Sequence, residues 1–390
     1  MDKRKNRNSM KKSFLMVMAA VLVLAASCTG KKGAESLKVD PALFEAVVDG
    51  KDVHLYTAEN ANGMVVQFTN YGARVVSIIV PDKNGEPKDV IWGFDSIEGY
   101  LTGDAFSGPV VGRYGNRIAK GQFTLDGVTY QVDQNENGNH LHGGKKGIYA
   151  VVWDCKQYKN AQGEPVVEMT YNSPDGEMGY PGNMKITVVY TVKNDNSLAI
   201  THKAVTDKAC PVNLTFHPYL NLHGTSEVSS NSHILYIDAD TFTATDRALI
   251  PTGELTPVAG TAMDFNTPTE VGSRPDMSVE AINIANGGYD QNYVLNHPGD
   301  MSRPCATMYE PATGIFLEIF TDQPAIQFYS GPAMNGTDVG KRGDVHHRFS
   351  GIALETQKFP DAPNHPEFPD TILRPGTEYV HNAVYKFSTK

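Results

Sequence analysis

The chain reads as all-β, a sandwich of antiparallel sheets, and three observations predict it. Short runs in which apolar and polar residues alternate recur along its length, each closed by Gly, Asn, Asp or Pro. Asn84-Gly85 and Asp126-Gly127 are dipeptides that favour hairpin turns. No stretch carries a sustained helical period, and no internal repeat is visible. With 390 residues, 40% of them hydrophobic, the chain can bury a large core without covalent staples.

The first segment, 1–28, stands outside the fold. Lys3, Arg4, Lys5, Arg7, Lys11 and Lys12 precede an apolar stretch from Phe14 to Ala26, too short for a bilayer span and typical of an export signal. The ending Leu24-Ala-Ala-Ser-Cys28 resembles a bacterial lipoprotein box, which makes Cys28 the expected lipidation site. The alternative is an ordinary cleaved signal with an incidental cysteine. The expected location is exported, periplasmic or cell-envelope, with one lipid anchoring the protein to a membrane it does not span. Residues 29–39 read as a flexible tether and 40–390 as one domain, since no linker or charge run divides it.

Within that domain the strands fall at 64–70, 74–80, 122–126, 166–171 and 184–192. A Pro-dense loop, 359–375, leads to a last strand at 378–387. The full chain carries a net charge of −10. Removing Asp2 and the six basic residues of the leader leaves 28 Lys and Arg against 43 Asp and Glu. Such a surface excludes a nucleic-acid partner and suits a small uncharged one. Beyond Cys28 only Cys155, Cys210 and Cys305 remain, which is no disulfide framework.

Two runs carry the chemistry. In Gly351-Ile-Ala-Leu-Glu355-Thr-Gln357 the alternation of an extended chain puts Ile352 and Leu354 on one face and Glu355, with Gln357, on the other. A carboxylate among apolar neighbours is costly unless something pairs or uses it. In Val212-Asn-Leu-Thr-Phe-His217 the residues Val212, Leu214 and Phe216 share one face, and Asn213, Thr215 and His217 share the other. Brought together, Glu355 and His217 would make a general base and a general acid.

Eight strings, in order, resemble the aldose 1-epimerase (mutarotase) family. They begin with Gly112-Arg-Tyr-Gly-Asn116-Arg117, Asn139-His-Leu-His142-Gly-Gly and Ser173-Pro-Asp-Gly-Glu-Met-Gly-Tyr-Pro-Gly182. Thr215-Phe-His217-Pro-Tyr-Leu-Asn-Leu222, Ile250-Pro-Thr-Gly-Glu-Leu with Gly260-Thr-Ala-Met-Asp-Phe265, and Tyr289-Asp290-Gln-Asn-Tyr follow. Gln327-Phe-Tyr-Ser-Gly331 and Leu354-Glu355-Thr-Gln357 complete the set. The resemblance implies a large twisted antiparallel β-sandwich, the galactose mutarotase-like supersandwich, whose concave face holds a monosaccharide. It implies Glu355 as catalytic base and His217 as catalytic acid. Asn116, Arg117, His142, Asp290 and Gln327 fall on positions that contact sugar hydroxyls. One position departs from the pattern: Gln291 stands where the family often has His, which puts local hydroxyl selectivity in question.

The implied reaction interconverts the α and β anomers of free hexoses such as galactose or glucose. A base takes the proton of the anomeric hydroxyl, an acid protonates the ring oxygen, and the opened aldehyde recloses on either face. No metal or cofactor is required, and the protein is expected to act as a monomer or a dimer. Carboxylates near His217 are expected to raise its pKa and hold it protonated.

His140 and His142 share the spacing of two metal ligands, yet no third ligand accompanies them. His346-His347 reads as part of a solvated polar loop, and Trp92, Tyr180 and Tyr329 as core rather than sugar platforms. Three other functions compete. A glycoside hydrolase would use Glu355 with Asp290 as a carboxylate pair. A silent sugar-binding lipoprotein would keep the site without the rate. An epimerase of sugar phosphates would need clustered Arg or Lys around Arg117, and the sequence shows none.

Overall fold

The expected strands form where the alternation placed them. Val65–Thr69, Arg74–Pro81, Gln122–Leu125, Pro165–Ser173 and Met184–Val192 are all strands, and the last runs Tyr379–Thr389. Asp126 and Gly127 join two strands in which Leu125 faces Val128, with φ of 50° and 79°, the double left-handed geometry of a tight hairpin. The computed structural model describes residues 33–390; the leader, Cys28 and the start of the expected tether lie outside the described residues.

Three antiparallel sheets make the body. The largest has nine strands, in the order Asp154–Lys159, Pro165–Ser173, Met184–Val192, Ser197–Thr206, Tyr379–Thr389, Ile315–Thr321, Ala306–Glu310, Ile234–Ile237 and Thr269–Glu270. A five-stranded sheet runs Pro251–Pro257, Thr241–Thr245, Asp290–Val294, Ala325–Tyr329, Ala353–Gln357. A four-stranded sheet holds Leu55–Glu59 to Pro87–Asp89. One core cluster joins them: Ile186, Val188 and Tyr190 from the first, Ile326, Phe328 and Leu354 from the second, Val66 and Phe68 from the third. The architecture is the all-β antiparallel sandwich that the alternation predicts.

Residues 33–39 of the expected tether are packed. Residues 33–37 form a helical turn, and Ala34 packs with Val65 and Ile79 while Leu37 flanks them. Val39 exchanges two hydrogen bonds with the Gln67 amide, at 2.7 and 3.0 Å. Three apolar residues in a polar segment are enough to dock it on the four-stranded sheet, so 33–39 is packed chain.

Candidate active site

Three strands of the five-stranded sheet, Asp290–Val294, Ala325–Tyr329 and Ala353–Gln357, are buried on both faces. Their core face carries Ile326, Phe328, Tyr293 and Leu354; the other carries Asn292, Gln327, Glu355 and Gln357. Gln327 pairs directly with Glu355 on one side and with Asn292 on the other. Asp290, two residues before Asn292, therefore shares this face. Gln327 Nε2 donates to Asp290 Oδ1 at 2.6 Å, and Arg117 Nη1 lies 3.6 Å from Asp290 Oδ2. The rest of the Arg117 fork donates twice to Glu136, at 2.7 Å each. Gln357 turns to Asn292 Oδ1 at 2.9 Å rather than into the cavity.

Gln291 faces the opposite way. Its Oε1 accepts from the Asp290 N–H at 2.9 Å and its Nε2 donates to the Ala281 carbonyl at 3.0 Å. The expected effect of this residue on hydroxyl selectivity does not hold, because strand alternation sends it behind the sheet.

The histidine wall comes from two short ladders. Arg117–Ile118 pairs with His140–Leu141, and Thr215–Phe216 with Val110–Val111. His140 and His142 do not share a face. His140 is tied by Nδ1 to the Asp133 carbonyl and by Nε2 to the Tyr180 hydroxyl, both at 2.6 Å, and belongs to the core. The chain then leaves the strand: His142 has φ 51° and Gly143 φ 97°. A Cβ at Gly143 would collide with the Gly112 carbonyl oxygen, so only glycine allows this turn to close against the Asn116 loop. The swing brings His142 Nδ1 within 3.0 Å of the Asn116 backbone N–H, which donates to it. The proton of the neutral ring must then sit on Nε2, making His142 a fixed donor.

His217 follows the ladder strand and faces Glu355, with Nε2 3.5 Å from Glu355 Oε1. Phe106, His142 and Tyr219 enclose its ring, with centroids at 5.8, 5.1 and 5.0 Å. Asn116, Arg117, His142, His217, Asp290 and Glu355 line a cavity of about 600 Å³, a size that suits a small ligand. Gln327 sits behind them, its Oε1 buried without a protein partner, as is Glu355 Oε2.

Other lining residues were not expected. His346 is buried, not solvated: its ring stacks on Trp92 at 4.2 Å, and both rings line the cavity with Tyr219 and Tyr329. Trp92 and Tyr329 thus border the site, whereas Tyr180 lies in the core, as expected. Glu136, Phe106 and Asp104 come from polar turns with no periodicity to single them out. Tyr219 had a signal, since it lies two residues beyond His217.

Burial dominates the electrostatics. It pushes the Glu355 carboxyl well above its ordinary value, with Asp290 adding to the rise and Arg117 opposing it. It also raises Asp290, against the pull of Arg117 and Gln327. Arg117, although buried, is held above its ordinary value by Asp290 and Glu136. His217 moves contrary to expectation: burial lowers it to about 4, only partly offset by the backbone at His217 and Phe106. Burial therefore works against the ionised form of both partners, the imidazolium of His217 and the carboxylate of Glu355.

His142, His217 and Glu355 bring ligand atoms within 4.8 Å of one another, as do His223, His233 and Glu310 elsewhere. Tautomers argue against a cation at either place. His142 Nδ1 is occupied by the Asn116 N–H and its Nε2 carries the proton, which leaves neither nitrogen free to ligate. His233 Nε2 accepts from the Leu222 N–H at 2.8 Å, which leaves the proton on the Nδ1 that faces Glu310.

Known proteins share this architecture and sequence. The family model for aldose 1-epimerase matches residues 54–386. A galactose mutarotase of Homo sapiens is 41% identical over 323 residues, 83% of this chain and 91% of the relative. An aldose 1-epimerase of Escherichia coli (strain K12) is 37% identical over 342 residues, 87% and 96% of the two chains. Among solved structures, a galactose 1-epimerase from Lactobacillus acidophilus NCFM superposes with a TM-score of 0.77 at 30% identity, covering 88% of this chain and 97% of that one. With the match running through nearly every strand described above, the chain belongs to the aldose 1-epimerase family and is an isomerase.

Proposed function

We propose that this chain interconverts the α and β anomers of free aldohexoses such as galactose and glucose, with Glu355 as base and His217 as acid. The contact that carries the reading is the 3.5 Å approach of His217 Nε2 to Glu355 Oε1 on the wall of the cavity. The names of the relatives, galactose mutarotase and galactose 1-epimerase, support galactose as a substrate.

A pyranose bound between the two residues presents its anomeric hydroxyl to Glu355 and its ring oxygen to His217. The reactive form has the proton on His217 and the charge on Glu355, and the sugar's polar groups supply solvation that burial withholds from both. Glu355 takes the anomeric proton, His217 gives its own to the ring oxygen, and the C1–O5 bond opens. Rotation about C1–C2 and reversal of the two transfers returns either anomer and restores the pair. Arg117, Asp290 and Gln327 form a rigid donor–acceptor ladder for sugar hydroxyls, Asn116 borders it, and His142 Nε2–H is an added donor.

A hydrolase built on Glu355 and Asp290 fits less well, because both Asp290 oxygens are already engaged by Gln327 and Arg117. We also read the enzyme as exported and anchored through Cys28, on the strength of the basic leader and the Leu24-Ala-Ala-Ser-Cys28 ending.

Polarimetry of fresh α-D-galactose and α-D-glucose tests the roles. Glu355→Gln and His217→Asn should each lose roughly 10²-fold or more in kcat. Full activity in both variants ends the assignment.

A further inference from the structure

The Tyr379–Thr389 strand lies in the nine-stranded sheet, yet its side chains reach across the core to the backs of both catalytic segments. Leu214, three residues before His217, and Thr356, next to Glu355, are both held by one imidazole. His381 Nδ1 lies 2.9 Å from the Leu214 carbonyl, and its Nε2 lies 2.9 Å from the Thr356 hydroxyl. A carbonyl only accepts, so Nδ1 carries the proton and Nε2 accepts from Thr356. Tyr379 and Tyr385 flank it. The Leu214 N–H donates to the Tyr379 hydroxyl at 3.2 Å, and the Tyr385 hydroxyl donates to the Leu354 carbonyl at 2.8 Å.

We infer that His381 is a positioning residue for the epimerase reaction: by bridging Leu214 and Thr356 it sets the separation between His217 and Glu355. The inference rests on the acid–base roles given above. His381 is fully buried and touches neither the cavity nor any residue that would hold the sugar's hydroxyls. Direct strand pairing does not do this job alone. Thr215–Phe216 is laddered to Val110–Val111 rather than to Ala353–Gln357. The two segments meet at their ends, through the Leu220–Ile352 backbone pair at 2.7 and 2.9 Å and through Asn213 on the Lys358 backbone at 2.8 and 3.3 Å. Between those ends the Thr215 hydroxyl donates to the Thr356 carbonyl at 2.8 Å. The imidazole adds a fastening between those ends, from the side of the nine-stranded sheet, on Leu214 and on the residue next to Glu355. A general acid and base need near-attack placement, and about 1 Å of drift costs about 10²-fold.

His202 provides the control. It pairs with His381 across neighbouring strands, its ring 4.7 Å away, and it is just as buried. Neither of its ring nitrogens has a hydrogen-bond partner, so it fills space beneath the bridge without gripping a catalytic segment.

The test compares His381→Leu, His381→Gln, Thr356→Val and His202→Leu in the purified full chain, by polarimetry across pH and by thermal melting. His381→Leu is expected to lower kcat on galactose about 10- to 100-fold, to leave KM within about twofold, and to shift the limbs of the pH profile. His381→Gln, which can donate and accept at once, should recover most of the rate. Thr356→Val removes the same contact from the other side with little change of shape, and should lower kcat in the same direction even where His381→Leu folds poorly. His202→Leu should move the melting temperature without moving kcat. Wild-type kcat and pH limbs in Thr356→Val and in folded His381→Leu overturn the inference, as does a loss of kcat in His202→Leu equal to that in His381→Leu. Should Glu355→Gln and His217→Asn stay fully active, the acid–base reading itself fails. Should they lose activity while the His381 bridge proves silent, only the positioning role fails.

Discussion

At the residue scale, the pKa values of two side chains decide the pH dependence. His217 is pressed down to about 4 and Glu355 well above its ordinary value, both by burial. Between those limits the pair holds one proton, and either placement of it has the same net charge. Below about pH 4 the pair takes a second proton and no base remains. Above the raised Glu355 value it loses its last proton and no acid remains. The kcat/KM profile should therefore be a bell with a low acid limb and an alkaline limb above the normal carboxylate range. A profile with a single limb contradicts the shared-proton account. Glu136 offers a separate test. It holds Arg117 through two 2.7 Å contacts, so Glu136→Gln should free the guanidinium and raise KM for galactose about 3- to 30-fold, with kcat less affected. An unchanged KM would remove Arg117 from the binding set or show that Asp290 alone holds it.

At the scale of elements, alternation was legible and loops were not. The run ending in Gln357 shows its two faces in the sequence, and Ala353–Gln357 keeps them. The same rule assigns Gln291 to the back of its strand, which removes it from the selectivity question. His346 and Glu136 stayed hidden because an aperiodic loop carries no mark of which residue turns inward. The direction of the His217 shift stayed hidden for another reason: burial sums over the whole fold, while charged neighbours can be guessed from a motif. The turn after His142 shows what a motif glycine is for. Gly143 combines φ 97° with contact against the Gly112 carbonyl. Gly143→Ala should cost about 2 kcal/mol or more in denaturant unfolding, and should also displace His142 and lower activity. Wild-type stability in that variant would mean the turn relaxes more freely than its packing allows.

For the whole molecule, the acid side of the stability curve follows from how many histidines the core keeps neutral. Burial lowers His140, His217, His346 and His381 to about 4 and His233 to about 3, and depresses His142 and His202 as well. A histidine in the unfolded chain takes its proton near pH ~6.5. As pH falls from there toward 4, the unfolded state binds protons that the folded state refuses, and the free energy of unfolding drops. Raised carboxylates act in the opposite sense: Asp104, Asp290, Glu355 and Asp361 bind protons in the folded state first. Each group shifts stability by at most about 1.4 kcal/mol per pH unit. The histidines outnumber the carboxylates, so stability should fall with acidification, and the melting temperature should drop by more than about 5 °C between pH 7 and pH 5. Calorimetry of the full chain at matched ionic strength checks this, and a melting point that holds or rises at pH 5 would mean the core histidines accept protons without cost.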